Sequence, residues 1–129
     1  MSKSFVILLV LLLGALAVSA PGTQASSQDA AQANPVKPTA ESLAQGKKYY
    51  GYDCAMCHGD NGDGRGEVAM DEKLKLKDYR DPASLLGMSD EQLFNIIKDG
   101  KGQMPPEGGR LKPNELWNLV NYIRSFAHK

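Results

Sequence analysis

The stretch "YDCAMCHGDNGDGRG", residues 52–66, holds the chain's only two cysteines, Cys54 and Cys57, with His58 directly after the second. Two thiols, two residues apart, beside an imidazole admit four chemistries. They are a redox dithiol, half of a zinc site, a structural disulfide, or covalent attachment of a haem. The rest of the chain decides between them.

The chain has 129 residues, which suits one small domain with some excess. Fifteen basic residues balance fifteen acidic ones, so the concentrated positive face that nucleic acid requires is not expected. Residues 1–25 read as a signal peptide or an uncleaved N-terminal anchor. Lys3 supplies the positive start and "FVILLVLLLGALAV" the apolar run. That run is short of the roughly 20 residues that cross a bilayer comfortably. Pro21 follows the small-residue "VSA" and disfavours cleavage there; Ser19 and Ala25 are the alternative cleavage points. Residues 26–40 are rich in Ala, Gln, Ser and Pro and carry no apolar period, so they read as a disordered linker. The folded domain is expected over 41–129, in an exported or periplasmic protein with a possible membrane tether.

Three helices are expected within that domain. The first spans about 40–52, with Thr39 as N-cap and Leu43, Gly46, Tyr50 and Cys54 on one face. Gly46 in mid-helix costs about 1 kcal/mol relative to alanine. The second spans about 90–99. "SDEQ", Ser89 to Gln92, is a capping box, Met88 and Leu93 form a hydrophobic staple, and Gly100 ends the helix. The third spans about 113–126. Pro113 stands at its first position, and Leu116, Leu119, Val120, Ile123, Trp117, Tyr122 and Phe126 make a broad apolar surface. Between them lie the glycine-rich "GDNGDGRG" and "GKGQMPPEGG". No strand is expected, so the fold class is all-α.

An all-α pattern removes the redox dithiol, which belongs between a strand and a helix. Zinc needs two further ligands at suitable spacing, and only His58 and His128 exist. A disulfide across two residues closes a tiny loop and adds little. There remains C-x-x-C-H as a c-type haem attachment. Cys54 and Cys57 would add across the two vinyl groups of one haem c, and His58 would ligate the iron. An apolar macrocycle also supplies the core that a small domain with 13 glycines lacks, and the haem-free chain is expected to be largely unfolded. Met104 is the candidate sixth ligand. It follows "KGQ", precedes Pro105 and Pro106, and lies far along the chain from His58. Met56 is too near the attachment, Met88 belongs to the staple, Met70 is a runner-up and His128 is a tail residue. "DNGDGRGE", Asp60 to Glu67, fails the calcium-loop pattern at its third position and reads as a tight turn.

On "CAMCHG", "GQMPP" and the paired helix patterns, the chain resembles a small class I cytochrome c, of the bacterial monohaem type related to the domains of cbb3-oxidase subunits. The resemblance covers about residues 43–126. It implies a few helices wrapped around one covalently bound haem, and a close crossing of the first helix, at Gly46 and Tyr50, with the last, at Leu119 and Tyr122. It implies a monomeric one-electron carrier with transient redox protein partners and no enzyme activity. Two rivals stand beside it: a haem domain with a labile sixth ligand (peroxidase-like or gas-binding), and a dedicated subunit of a larger respiratory or dehydrogenase complex. Tyr79, Arg80 and Trp117 are candidate propionate partners on residue type. Lys73, Lys75 and Lys77 form a cluster diluted by Asp71, Glu72 and Asp78. Near-zero net charge points to docking through apolar surface at the haem edge.

Overall fold

The computed structural model describes residues 32–128, so the expected signal peptide or anchor lies outside the described residues. Helix α1, Ala40–Tyr49, begins where the Thr39 side chain accepts from the Ser42 N–H. It runs directly into a π-helical turn, Tyr50–Cys54, and then into α2, Ala55–His58. A short α3 covers Glu67–Asp71, and a 3₁₀ turn covers Pro82–Leu85. Helix α4 is Asp90–Asp99, and α5 is Pro113–Ser125, ending in a 3₁₀ turn at Phe126–His128. Among the described residues there is no strand, only an isolated bridge between Lys101 and Met104. No helix among them is long and apolar enough to cross a membrane.

The three helices read from the sequence are present, with α4 at the expected bounds. Both halves of its capping box form: the Gln92 N–H donates to Ser89 Oγ at 3.1 Å and the Ser89 N–H to Gln92 Oε1 at 2.8 Å. The sequence reading carried the first helix to Tyr52 as a regular helix; its last turn is instead wound wider, with the Ala55 N–H reaching back to the Tyr50 carbonyl. Helix α3 and the turn at Pro82–Leu85 were not anticipated, because each is too short to show an apolar period.

Helix α5 forms the centre of the core. Leu116, Trp117, Leu119, Val120, Tyr122, Ile123 and Phe126 are all buried. Its most extensive contact is with α1. A Cβ built on Gly46 would lie 2.6 Å from Tyr122 Cβ and closer still to the Asn118 carbonyl oxygen. The mid-helix glycine is thus explained by backbone approach, and four residues on the Tyr50 ring meets Tyr122 edge-on at 5.3 Å. Arg124, in the last turn of α5, donates to Asp90 Oδ1 at 2.9 Å and to the carbonyls of Met88 and Leu85. This fastens the entry of α4 to the central helix.

The N-terminal side of α1 departs from the linker expectation over residues 32–39. The Asn34 side chain donates to the Trp117 carbonyl and to Asn121 Oδ1, while buried Asn121 donates to the Val36 carbonyl and to Ser42 Oγ. The Gln32 N–H donates to Glu91. Polar composition suggested a free tether. One asparagine pair is enough to pin it, since a buried amide must find partners.

The Gly46 crossing is testable. Gly46→Ala gains helix propensity of about 1 kcal/mol, but it forces two backbones apart, and overpacking of this kind costs about 1–3 kcal/mol. A β-branched side chain is worse, so urea unfolding of the haem-loaded protein should show Gly46→Val less stable than Gly46→Ala, and both below wild type.

Candidate cofactor site

The wide turn before Cys54 and the short helix after it set Cys54, Cys57 and His58 into one wall of a cleft. The chain then folds back beneath them. The Gly64 N–H donates to the His58 carbonyl at 2.8 Å and the Gly66 N–H to the Cys57 carbonyl at 3.1 Å. Gly66 is required there: a Cβ on it would strike the carbonyls of Met56 and Ala55. Above, the Tyr50 hydroxyl, fully inside the core, donates to the Gly59 carbonyl at 2.8 Å. The loop that reads as a tight turn in the sequence is one, and Asp63 Oδ1 accepts from the Arg65 N–H within it.

Met104 arrives from a different part of the chain. Past α4 the backbone doubles back, with Lys101 and Met104 exchanging N–H···O bonds at 3.0 and 3.1 Å. Pro105 and Pro106 have no N–H to offer. The next two donors, Glu107 and Gly108, bond to the Ile97 and Lys98 carbonyls at 3.0 and 2.9 Å. Both ends of the methionine loop are thereby tied to the end of α4.

These segments enclose a cavity of about 380 Å³ lined by Cys54, Cys57, His58 and Met104 together with Leu74, Leu76, Tyr79, Leu85, Met88, Leu93 and Ile96. Its open rim carries Lys75, Lys77, Lys101 and Gln103, and two carboxylates, Asp53 and Glu107, stand in its wall. All four residues singled out from the sequence therefore meet in one apolar hollow. Of the three propionate candidates only Tyr79 lines it. Arg80 pairs with Asp78 at 2.7 Å and faces a separate cleft, and Trp117 stacks on Phe94 in the core at 4.2 Å. Met88 serves the staple and also reaches the cavity. Met70 and Met56 are exposed and do not line it. Of the lysine cluster, Lys75 and Lys77 reach the rim, where Lys77 donates to the Ser84 carbonyl. Asp53 and Glu107 were missed, because a lone carboxylate near a loop carries no sequence signal of burial.

The electrostatics do not favour thiol redox chemistry. Burial, followed by the Glu107 and Asp53 charges, pushes the Cys54 thiol up to about 12. A reactive dithiol needs the opposite shift. Cys54 and Cys57 are not bonded to each other. Burial lowers the basicity of His58, which favours the neutral imidazole. Its Nδ1 is buried with no hydrogen-bond partner; the ring is oriented instead by stacking on Tyr79 at 5.1 Å. Two thiols, an uncommitted imidazole and a thioether around an apolar hollow fit a covalently held haem.

Comparison with known proteins agrees. The family model described as "Cytochrome C oxidase, cbb3-type, subunit III" matches residues 41–123. Cytochrome c6 of Porphyra purpurea is 30% identical over 90 residues, spanning 70% of this chain and 76% of that protein. The cbb3-type cytochrome c oxidase subunit FixP of Bradyrhizobium sp. (strain ORS 278) is 32% identical over 85 residues, covering 65% of this chain but only 27% of FixP. Among solved structures, the KustC0563 c-type cytochrome superposes with a TM-score of 0.56 at 30% identity, covering 63% of this chain and 95% of its own.

Tyr50→Phe isolates one support of the site. It removes one of two donors to the Gly59 carbonyl, beside His58, and leaves only the Gly62 N–H at 3.0 Å. The cost should be about 0.5–1.5 kcal/mol, seen as an earlier urea midpoint with an unchanged slope.

Proposed function

The chain belongs to the cbb3-type cytochrome c family, and on that premise we propose that it is an exported electron carrier whose single haem c is bonded through Cys54 and Cys57 and ligated by His58 and Met104. The observation that carries the ligand assignment is the meeting of His58 and Met104, from two separately braced segments, in one cavity that also holds both thiols. The haem supplies a one-electron Fe(II)/Fe(III) couple. The residues around it do the rest. His58, whose burial favours the neutral imidazole, would offer a ring nitrogen to the iron. Met104 offers a soft sulfur that favours the reduced state and raises the potential relative to a second histidine. Leu74, Leu76, Leu85, Leu93 and Ile96 give the cavity its apolar lining. If His58 and Met104 both hold the iron, no position would be left on it for substrate, so the protein would pass electrons and perform no catalysis of its own.

Exchange would take place by brief contact at the open rim, where interfaces between redox partners are small. The rim carries Lys75, Lys77 and Lys101, yet the chain as a whole is neutral. The docking we propose is therefore mainly apolar and only modestly dependent on salt. Export rests on the N-terminal apolar run and on the chemistry of covalent haem attachment outside the bacterial cytoplasm. A second reading has specific support. FixP is an oxidase subunit, and this chain matches about a quarter of it; a carrier domain attached to one complex would use the same site and differ in co-purifying with its partner.

The test is absorption spectroscopy of wild type, Met104→Ala and Met104→His, produced with haem-maturation machinery. Wild type should be low-spin, show a weak far-red sulfur-to-iron band, and ignore carbon monoxide when reduced. Met104→Ala should lose the band and bind the gas. Met104→His should remain low-spin at a lower potential. A wild type that binds carbon monoxide readily overturns the carrier reading in favour of ligand chemistry.

A further inference from the structure

We propose that Arg110 is a positioning residue for Met104: its guanidinium ties the methionine loop to the turn carrying Cys54, and so sets how firmly the iron's sixth position is held. The inference rests on Met104 being an axial ligand. It begins with Glu107, whose side chain is only 6% exposed and stands in the cavity wall three residues after Met104. A carboxylate removed from water is costly unless it is paired. Arg110 supplies the pair, donating from Nε and Nη2 to Glu107 Oε2 at 3.2 and 2.8 Å.

The same Nη2 also pairs with Asp53. Asp53 directly precedes Cys54, belongs to the wide turn and lines the cavity. One guanidinium thus spans two carboxylates, one from each segment that brings an iron ligand. The backbone bonds of Glu107 and Gly108 fasten the methionine loop to α4 alone. The Arg110–Asp53 pair carries that fastening across to the attachment turn. Most ion pairs at the surface contribute little, and Arg110 itself is half exposed. The burial of Glu107 changes the balance: without Arg110, two like charges face each other across the wall, one of them inside it. The rigid planar fork of arginine suits this double contact; a lysine ammonium offers one point charge.

Imidazole titration of the oxidised, haem-loaded protein measures how often Met104 leaves the iron, because apparent affinity scales with the fraction of molecules open to the ligand. Asp53→Ala cuts the bridge while leaving Glu107 paired, and a thermal melt checks that the fold is kept. It should bind imidazole roughly tenfold more tightly than wild type and weaken the far-red band. Arg110→Leu should do so more strongly, and Arg110→Lys should fall between wild type and Arg110→Leu. If Asp53→Ala binds imidazole as wild type does, the bridge is overturned, whatever Arg110→Leu does. Met104→Ala, measured alongside, separates the two readings. Tighter binding there, with the bridge variants unchanged, overturns only the role of Arg110. No gain in Met104→Ala removes the axial ligand and this inference with it.

Discussion

The contact between α1 and α5 at Gly46 governs the rest of the molecule. With no side chain at that point the helix backbones meet, and the ring of Tyr50 reaches Tyr122 and Phe126 at 5.3 and 5.2 Å. Tyr50 lies at the junction where the helix widens, and its hydroxyl holds Gly59. The crossing therefore fixes both ends of the attachment motif: the wide turn that delivers Cys54 and the glycine that follows His58. A wide turn in a helix shifts the faces of all residues after it, and here it turns the two thiols and the imidazole toward one hollow.

The other half of the site is held by independent means. Helix α4 is anchored at its start by the Ser89 capping box and by Arg124 reaching from α5. At its end it receives the two backbone bonds that close the methionine loop. Two prolines stiffen the path between Met104 and those bonds and cannot divert the hydrogen bonding, because they have no donor. Met104 is consequently positioned by α4 and α5, and His58 by α1 and α5. The central helix is common to both, so the distance between the two donors is a property of how α5 packs on its two neighbours.

Between these halves lies a hollow rather than a finished core. The side chains of α5 pack in the core without lining the hollow, and the leucines at 74, 76, 85 and 93 present apolar surface to the interior of the cavity. A protein of this size buries too little of itself to be indifferent to such a void. A covalently held haem of the kind the family carries would supply the missing apolar volume, and the chain brings two thiols, an imidazole and a thioether to the same hollow. The asparagine pair at Asn34 and Asn121 closes the opposite flank, extending the ordered domain to residues the composition had assigned to a linker.

Local chemistry was legible in the sequence wherever a residue's role depends on its near neighbours. C-x-x-C-H points to a haem because its three donors fall within five residues of an all-α pattern. Ser89 and Gln92 specify a helix start because their bonds span three residues, and Pro113 another because its ring suits a first turn. Met104, alone of the methionines in a stiffened loop far from the attachment, could be singled out, and it lines the same cavity as His58. Packing over long separations was not legible. The widened turn at Tyr50 has no signature of its own. Asn34 and Asn121 look like ordinary polar residues until the chain brings them together, and Asp53, Glu107 and Arg110 look like scattered surface charges. Arg80 and Trp117 were plausible partners by type, and the fold turns them elsewhere. Burial and pairing between distant segments are properties of the closed chain, and only the tertiary structure decides which charge enters the wall and which cation follows it.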